Sequence, residues 1–212
     1  MKKKLLSLVL AGAMVASTSV SAFATTTPNK IVDEDGGTAN VTIDGSVDSN
    51  GGQQAAGTIS VSIPTSLQFQ VNKSGEVNGS GINVVNNGLD KVQIVADQFT
   101  DDTPNGSITV EAPNNFDRAT KKRSNLVLWV QGNEERAYFK SGSDNGVNDN
   151  GICDANGVNK EHGITVSTLS GRNGGSNSDE IRLNGYAGKD NLTEDIAITD
   201  QFILRLKVKK VQ

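Results

Sequence analysis

Histidine and cysteine, which supply many catalytic and metal centres, are almost missing from this chain. It has one of each, His162 and Cys153, among 212 residues. A zinc site needs several such ligands, no G-x-S-x-G nucleophile turn is present, and one cysteine cannot close an internal disulfide. We interpret His162 as a surface turn residue and expect the protein not to be an enzyme. Its fold must be held by core packing, metal binding or assembly.

Aromatic residues and clustered basic residues are also scarce. Aromatics make up 4% of the chain, so the main candidates for a sugar-binding platform are Trp129, Tyr138 and Tyr186. Of these, Trp129 is interpreted as a buried structural residue. The formal net charge is −4, and the only basic cluster is the KKR of residues 121–123. An acidic chain of this kind is a poor candidate for nucleic-acid binding.

Long apolar runs are limited to the first residues, MKKKLLSLVLAGAMVASTSVSAFA. A basic start, an apolar run over 5–15 and the small-x-small sequence of 22–24 are typical of a secretory signal peptide. The apolar run is shorter than the ~20 residues that a membrane span needs. We therefore expect cleavage after Ala24, a secreted or cell-surface location, and no membrane span after processing.

Alternation of apolar and polar residues with a period of two recurs through the rest of the chain. Such runs, separated by Asn-Gly and Ser-Gly turns, predict half-buried strands. The sequence therefore predicts an all-β fold: a single antiparallel β-sandwich of about ten strands, Ig-like or jelly-roll-like, over residues 39–212. The predicted core residues are Ile59, Val61, Ile63, Phe69, Ile94, Val127, Trp129, Phe202, Leu204 and Leu206.

Residues 25–38, TTTPNKIVDEDGGT, differ from the alternating runs because they are polar and acidic. We expect a flexible N-terminal arm, since chain ends are often poorly ordered. A second interpretation is that the PNKIVD within it extends as a strand on another subunit.

The stretch SGSDNGVNDNGICDANGVN, residues 141–159, is rich in Asp, Asn and Gly and contains Cys153. It is open to three interpretations: a metal loop, a solvated turn, or a reactive thiol. Residues 148–154, NDNGICD, resemble the thrombospondin type 3 calcium repeat, D-x-D-G-I-x-D, with Asn in place of two Asp residues. The resemblance implies a weak calcium site, because calcium prefers charged oxygen ligands. Its predicted ligands are Asp144, Asn148, Asn150 and Asp154.

Two neighbouring segments carry a wider resemblance: GTISVSIPTSLQFQVN at 57–72 and INVVNNGLDKVQIVA at 82–96. They resemble small secreted β-sandwich surface proteins of clostridia and other Gram-positive bacteria, of the WxL or TasA/camelysin fibre type. The WxL signature itself is absent, because Val130 and Gln131 follow Trp129.

This resemblance implies a non-catalytic structural or adhesive role at the cell surface. The predicted partner interaction is self-assembly into filaments by strand donation from residues 25–38. The alternative function is an extracellular carbohydrate-binding module, and a glycan or cell-wall polymer is the predicted ligand in that case. Sandwich folds host both, so the fold alone does not separate them.

Overall fold

A computed structural model describes residues 30–32, 38–43, 59–72, 74–102, 107–141, 149–190 and 200–211. Thirteen strands lie in these ranges: β1 (Lys30–Val32), β2 (Thr38–Ile43), β3 (Val61–Ile63), β4 (Phe69–Val71), β5 (Glu76–Asn86), β6 (Val92–Asp101), β7 (Thr109–Val110), β8 (Asn125–Gln131), β9 (Ala137–Phe139), β10 (Ile152–Cys153), β11 (Ile164–Leu169), β12 (Ser178–Ala187) and β13 (Phe202–Lys210). The helical structure within the described ranges is one 3₁₀ turn, Pro113–Asn115.

The larger sheet has nine strands, and its main path runs β1-β3-β5-β12-β8-β9-β10. The short strand β4 pairs with the first half of β5, while β3 pairs with its last residues. The other short strand, β7, lies parallel to β8, and all other pairs are antiparallel. The smaller sheet has the order β11-β6-β13-β2. The predicted antiparallel sandwich is confirmed. It has more strands than the ten expected, because several are only two or three residues long.

The two sheets are joined by a column of phenylalanine rings. Phe99 on β6 stacks on Phe139 of β9 at a centroid distance of 4.5 Å, and on Phe202 of β13 at 5.4 Å. Phe69 of β4 approaches Phe202 at 6.5 Å. Because β6 and β13 belong to the smaller sheet and β4 and β9 to the larger, these contacts close the core between the layers.

Most of the predicted core lies in this space. The confirmed members, all buried in the main cluster, are Ile59, Val61, Ile63, Ile94, Phe202, Leu204 and Leu206. Phe69 is only partly buried and packs against the cluster.

Val127 is fully buried, as predicted, whereas Trp129 is only half-buried. Both face the outer side of the larger sheet, where they belong to a second cluster. The inner face of β8 carries Leu126, Leu128 and Val130 instead. Since LVLWV is apolar at every position, its alternation does not tell which set faces the core.

No helix within the described residues has the length and apolar character needed to cross a membrane.

Candidate functional site

Two regions of the sandwich have candidate functional residues: the turn around Cys153 and the outer face of the larger sheet. Of the four predicted calcium ligands, Asp144 and Asn148 lie outside the described residues. Asn150 and Asp154 are described, and both have protein partners. The hydrogen bonds of these two side chains determine whether they are available to a metal ion.

The Asn150 side chain ties the turn to the smaller sheet. Its Nδ2 donates to the carbonyl oxygens of Asp97 and Lys160, both at 2.8 Å. Its Oδ1 accepts from the Ile152 amide at 3.2 Å. The Asn150 backbone oxygen accepts from the Phe99 amide at 2.8 Å. This asparagine therefore supplies two donors to backbone carbonyls, a role that an aspartate could not fill.

Asp154 organises the turn that follows β10. Its Oδ1 accepts from the amides of Asn156 at 2.9 Å and Val158 at 3.1 Å. Its Oδ2 pairs with the Lys160 Nζ at 2.8 Å. The hydrogen bond from Lys160 is the main cause that lowers the pKa of this carboxyl group. Gly157, at φ 72°, supplies the left-handed position that the turn requires.

Within the described ranges, no group of three or more His, Cys, Asp or Glu side chains is placed to hold a metal ion. Calcium binding by Asp144, Asn148, Asn150 and Asp154 therefore stays a prediction. The Asp154 carboxylate would then have to serve the metal in addition to, or in place of, its present partner Lys160.

Cys153 is buried on the outer side of the larger sheet, directly opposite Tyr138 in the β9–β10 pair. Burial is the main cause that raises the pKa of its thiol to about 11, and nearby Lys140 opposes the shift. The thiolate is the nucleophilic form of cysteine. At neutral pH this side chain is a protonated thiol, which disfavours the reactive-thiol interpretation.

The second cluster forms an aromatic face on the outside of the larger sheet. The Trp129 ring lies 5.4 Å from Tyr138 and 6.0 Å from Tyr186, between ring centroids. Phe116, from the connection between β7 and β8, meets Tyr186 edge-on at 5.5 Å. Trp129 and Tyr186 are half-buried, and Tyr138 is 9% exposed. Of the three residues named from the sequence as sugar-platform candidates, Trp129 thus contacts both tyrosines.

Two arginines lie over this aromatic face. The Arg118 guanidinium is 5.1 Å from the Tyr186 centroid and is fixed by hydrogen bonds to Gly75, Glu76 and Ala187. The Arg136 guanidinium is 5.5 Å from the Trp129 centroid. Such cation–π contacts stabilise an arginine over a ring face.

Phe116, Arg118 and Arg136 were not singled out from the sequence. The one usable signal was Phe116, an isolated aromatic in the polar segment APNNFDRATKKR. Arg136 comes close to Trp129 only through the β8–β9 hairpin, whose register the sequence does not specify.

No family model matches this chain, and comparison with curated proteins and with solved structures found no match.

Proposed function

We propose that this protein is a non-catalytic, secreted or cell-surface structural protein whose subunits join by exchanging the strand β1. One observation carries the proposal. Lys30–Val32, from the segment expected to be an arm, pairs with β3 and forms an edge of the larger sheet. An arm that can pair with this edge in its own chain can pair with the same edge of another copy.

The remaining edges support this choice of contact. At the far edge of the larger sheet, the Lys160 amide donates to the Ile152 oxygen at 2.9 Å, so the turn covers β10. In the smaller sheet, the amides of Gly132 and Glu134 donate to the Val166 oxygen on β11, at 3.0 and 3.2 Å. Covered edges do not accept another strand. The N-terminal strands β1 and β2 stand at the other ends of the two main strand paths.

The energetics of β1 are suited to exchange. A three-residue strand forms only a few backbone hydrogen bonds, each with a net contribution of about 0.5–1.5 kcal/mol. Its partner β3 is rigidly held, because Val61 and Ile63 are fully buried. Release of β1 would therefore cost a few kcal/mol, and a second copy of β1 would restore the same bonds.

Exchange of this kind is head-to-tail when each subunit gives β1 to one neighbour and receives β1 from another. Such contacts build filaments when they do not close into a ring. The five residues 33–37 between β1 and β2 would span at most about 16–18 Å when extended. Export, as predicted from residues 1–24, would place these filaments outside the cell.

Electron microscopy of three concentrated chains tests the proposal. The first chain begins at Thr25, the second at Asn29 and the third at Thr38. We expect filaments from the first two, which keep Lys30–Val32, and none from the third. Filaments from the Thr38 chain, or monomers from all three, would overturn the proposal.

A further inference from the structure

The aromatic face lies apart from β1, and several of its polar groups have no hydrogen-bond partner among the described residues. Within the described residues, no hydrogen-bond partner is found for the Trp129 Nε1–H or for the hydroxyls of Tyr138 and Tyr186. These groups belong to half-buried or nearly buried rings, so their apolar parts are packed while their polar ends are available. Such amphipathic rings are typical of binding surfaces.

Two of these rings, Trp129 and Tyr138, lie in one row with polar side chains that crosses the larger sheet. Strand register places Asn78 of β5 opposite Asn184 of β12, Asn184 opposite Trp129 of β8, and Trp129 opposite Tyr138 of β9. Directly opposed residues share one face of a sheet. With strands about 4.8 Å apart, the row spans about 14 Å over four strands. We call Asn78, Asn184, Trp129 and Tyr138 the outer row.

Amide groups with unused capacity border the aromatic rings. Asn184 makes one long hydrogen bond, from Nδ2 to the Arg182 oxygen at 3.4 Å. Gln131 uses its Oε1 to accept from Arg136 at 2.8 Å. The Asn78 side chain is exposed and has no hydrogen bond to another described residue. A ligand with many hydroxyl groups would find both donors and acceptors along the outer row.

Three arginines lie beside the outer row, and one of them has no carboxylate partner within the described ranges. Arg118 pairs with Glu76 at 2.8 Å, and Arg182 pairs with Glu180 at 2.6 Å. Arg136 bonds to the neutral Gln131 instead, and no carboxylate pairs with it within the described ranges. An exposed guanidinium of this kind favours a carboxylate on the ligand, which it can bind in a bidentate manner.

The outer row includes no mostly exposed large apolar side chain among the described residues. The core of a protein interface is a desolvated apolar patch. In the described part of the chain, the large apolar side chains that are mostly exposed are Leu89 and Val158, and neither belongs to the outer row.

We propose that the outer row binds an extended acidic polysaccharide, with Arg136 pairing with a uronate carboxylate. The Trp129 Nε1–H and the amides of Asn78 and Asn184 bind hydroxyl groups, while Arg136 stays over the Trp129 ring. This site does not include β1: its nearest member, Asn78 on β5, lies two strands away from β1 in the larger sheet.

Trp129 is the only tryptophan, so its fluorescence reports binding at the outer row directly. The test titrates the monomeric fraction of the chain beginning at Thr25 with oligogalacturonate, with a neutral cello-oligosaccharide, and with polyglutamate. We expect a saturable fluorescence change with oligogalacturonate and a much weaker one with the other two probes.

Two arginine variants provide the matched comparison. R136Q and R182Q each remove one exposed positive charge from the same sheet face, but only Arg136 lies over Trp129. R136Q should lose about tenfold in affinity for oligogalacturonate, the usual effect of one charged hydrogen bond. R182Q should change it less than about twofold, as expected for an exposed ion pair. N184A provides a third variant, with an intermediate loss expected.

Four results would overturn this site: no response to oligogalacturonate, equal losses in R136Q and R182Q, equal binding of the neutral oligosaccharide, or equal binding of polyglutamate. The last would assign the face to acidic peptides.

Discussion

Ile31 lies directly opposite Ser62 in the antiparallel pair that joins β1 to β3. This pairing brings a residue of the N-terminal segment against a strand that is otherwise deep in the fold, since the side chains of Val61 and Ile63 on either side of Ser62 are fully buried. One edge of the larger sheet is therefore formed by a three-residue strand from the N-terminal segment.

The phenylalanine column should dominate the stability of the sandwich. Phe99 is 1% exposed and stacks on two other rings, whereas Phe69 is only partly buried. Phe99→Ala should lower the free energy of unfolding by about 3–5 kcal/mol, the usual cost of this change in a core. Phe69→Ala should cost clearly less. Urea denaturation of the two variants checks this, and equal losses would contradict the packing described.

Replacement of Asn150 by aspartate should destabilise the folded protein. In N150D, a carboxylate would face the carbonyl oxygens of Asp97 and Lys160, which now accept hydrogen bonds from the amide. We expect a loss of about 1–3 kcal/mol or more, because two acceptors lose their donor and a charge is added. N150A removes the donor without the charge and should lose less. Denaturation in calcium-free buffer measures both, and an N150D variant as stable as the wild type would refute this role.

The effect of calcium on the melting temperature tests the predicted calcium site. Calcium at several times its dissociation constant, which for weak extracellular sites is on the order of millimolar, should raise the melting temperature by mass action. Asp154→Ala should abolish the increase. Asp117→Ala is the matched control, because Asp117 also accepts a turn amide, from Ala119 at 2.9 Å, away from the predicted site. No increase in the wild type, or the same increase in Asp154→Ala, would leave the segment a turn held by its own hydrogen bonds.

Cys153 should make stability depend on pH in the alkaline range. Its pKa rises from 9.0 to about 11 in the folded chain. The unfolded thiol therefore ionises first, and the stability that the buried neutral thiol provides is present below pH 9 and is lost as pH rises towards 11. The loss should reach about 2–3 kcal/mol. Cys153→Ala should lack this component, and native protein should react slowly with thiol reagents at pH 8. Rapid labelling of the native protein would contradict the burial.

The fold could be predicted from the sequence because its strands alternate cleanly. Leu204, Leu206 and Val208 point to the core while Arg205 and Lys207 between them are less buried, as the period of two requires. Trp129 was misplaced because β8 is apolar on both faces, so the choice of face depends on which segment covers the outside. That segment contains Phe116, and its path over Tyr186 follows from tertiary packing.

The candidate sites were less accessible to sequence reasoning. The motif around Asn150 identified a turn, but the two carbonyls that it binds come from β6 and from residue 160. Arg136 and Asn184 carry no motif, and they meet Trp129 only through the registers of β9 and β12. Pairing between distant strands is the information that a local pattern does not contain.

A disulfide between residues 31 and 62 tests strand exchange most directly. Opposed Cα atoms in an antiparallel pair lie about 4.5–5.5 Å apart, within the range that a disulfide spans. The variant carries Ile31→Cys and Ser62→Cys in a Cys153→Ala background. One sample is oxidised in dilute solution, and a second is oxidised after the protein has been concentrated and has assembled. Each sample is then denatured and run on a non-reducing gel, with Ile31→Cys alone as the control. We expect monomers with an internal disulfide in the dilute sample and a ladder of covalently linked chains in the assembled one. Monomers with an internal disulfide in both samples would contradict strand exchange.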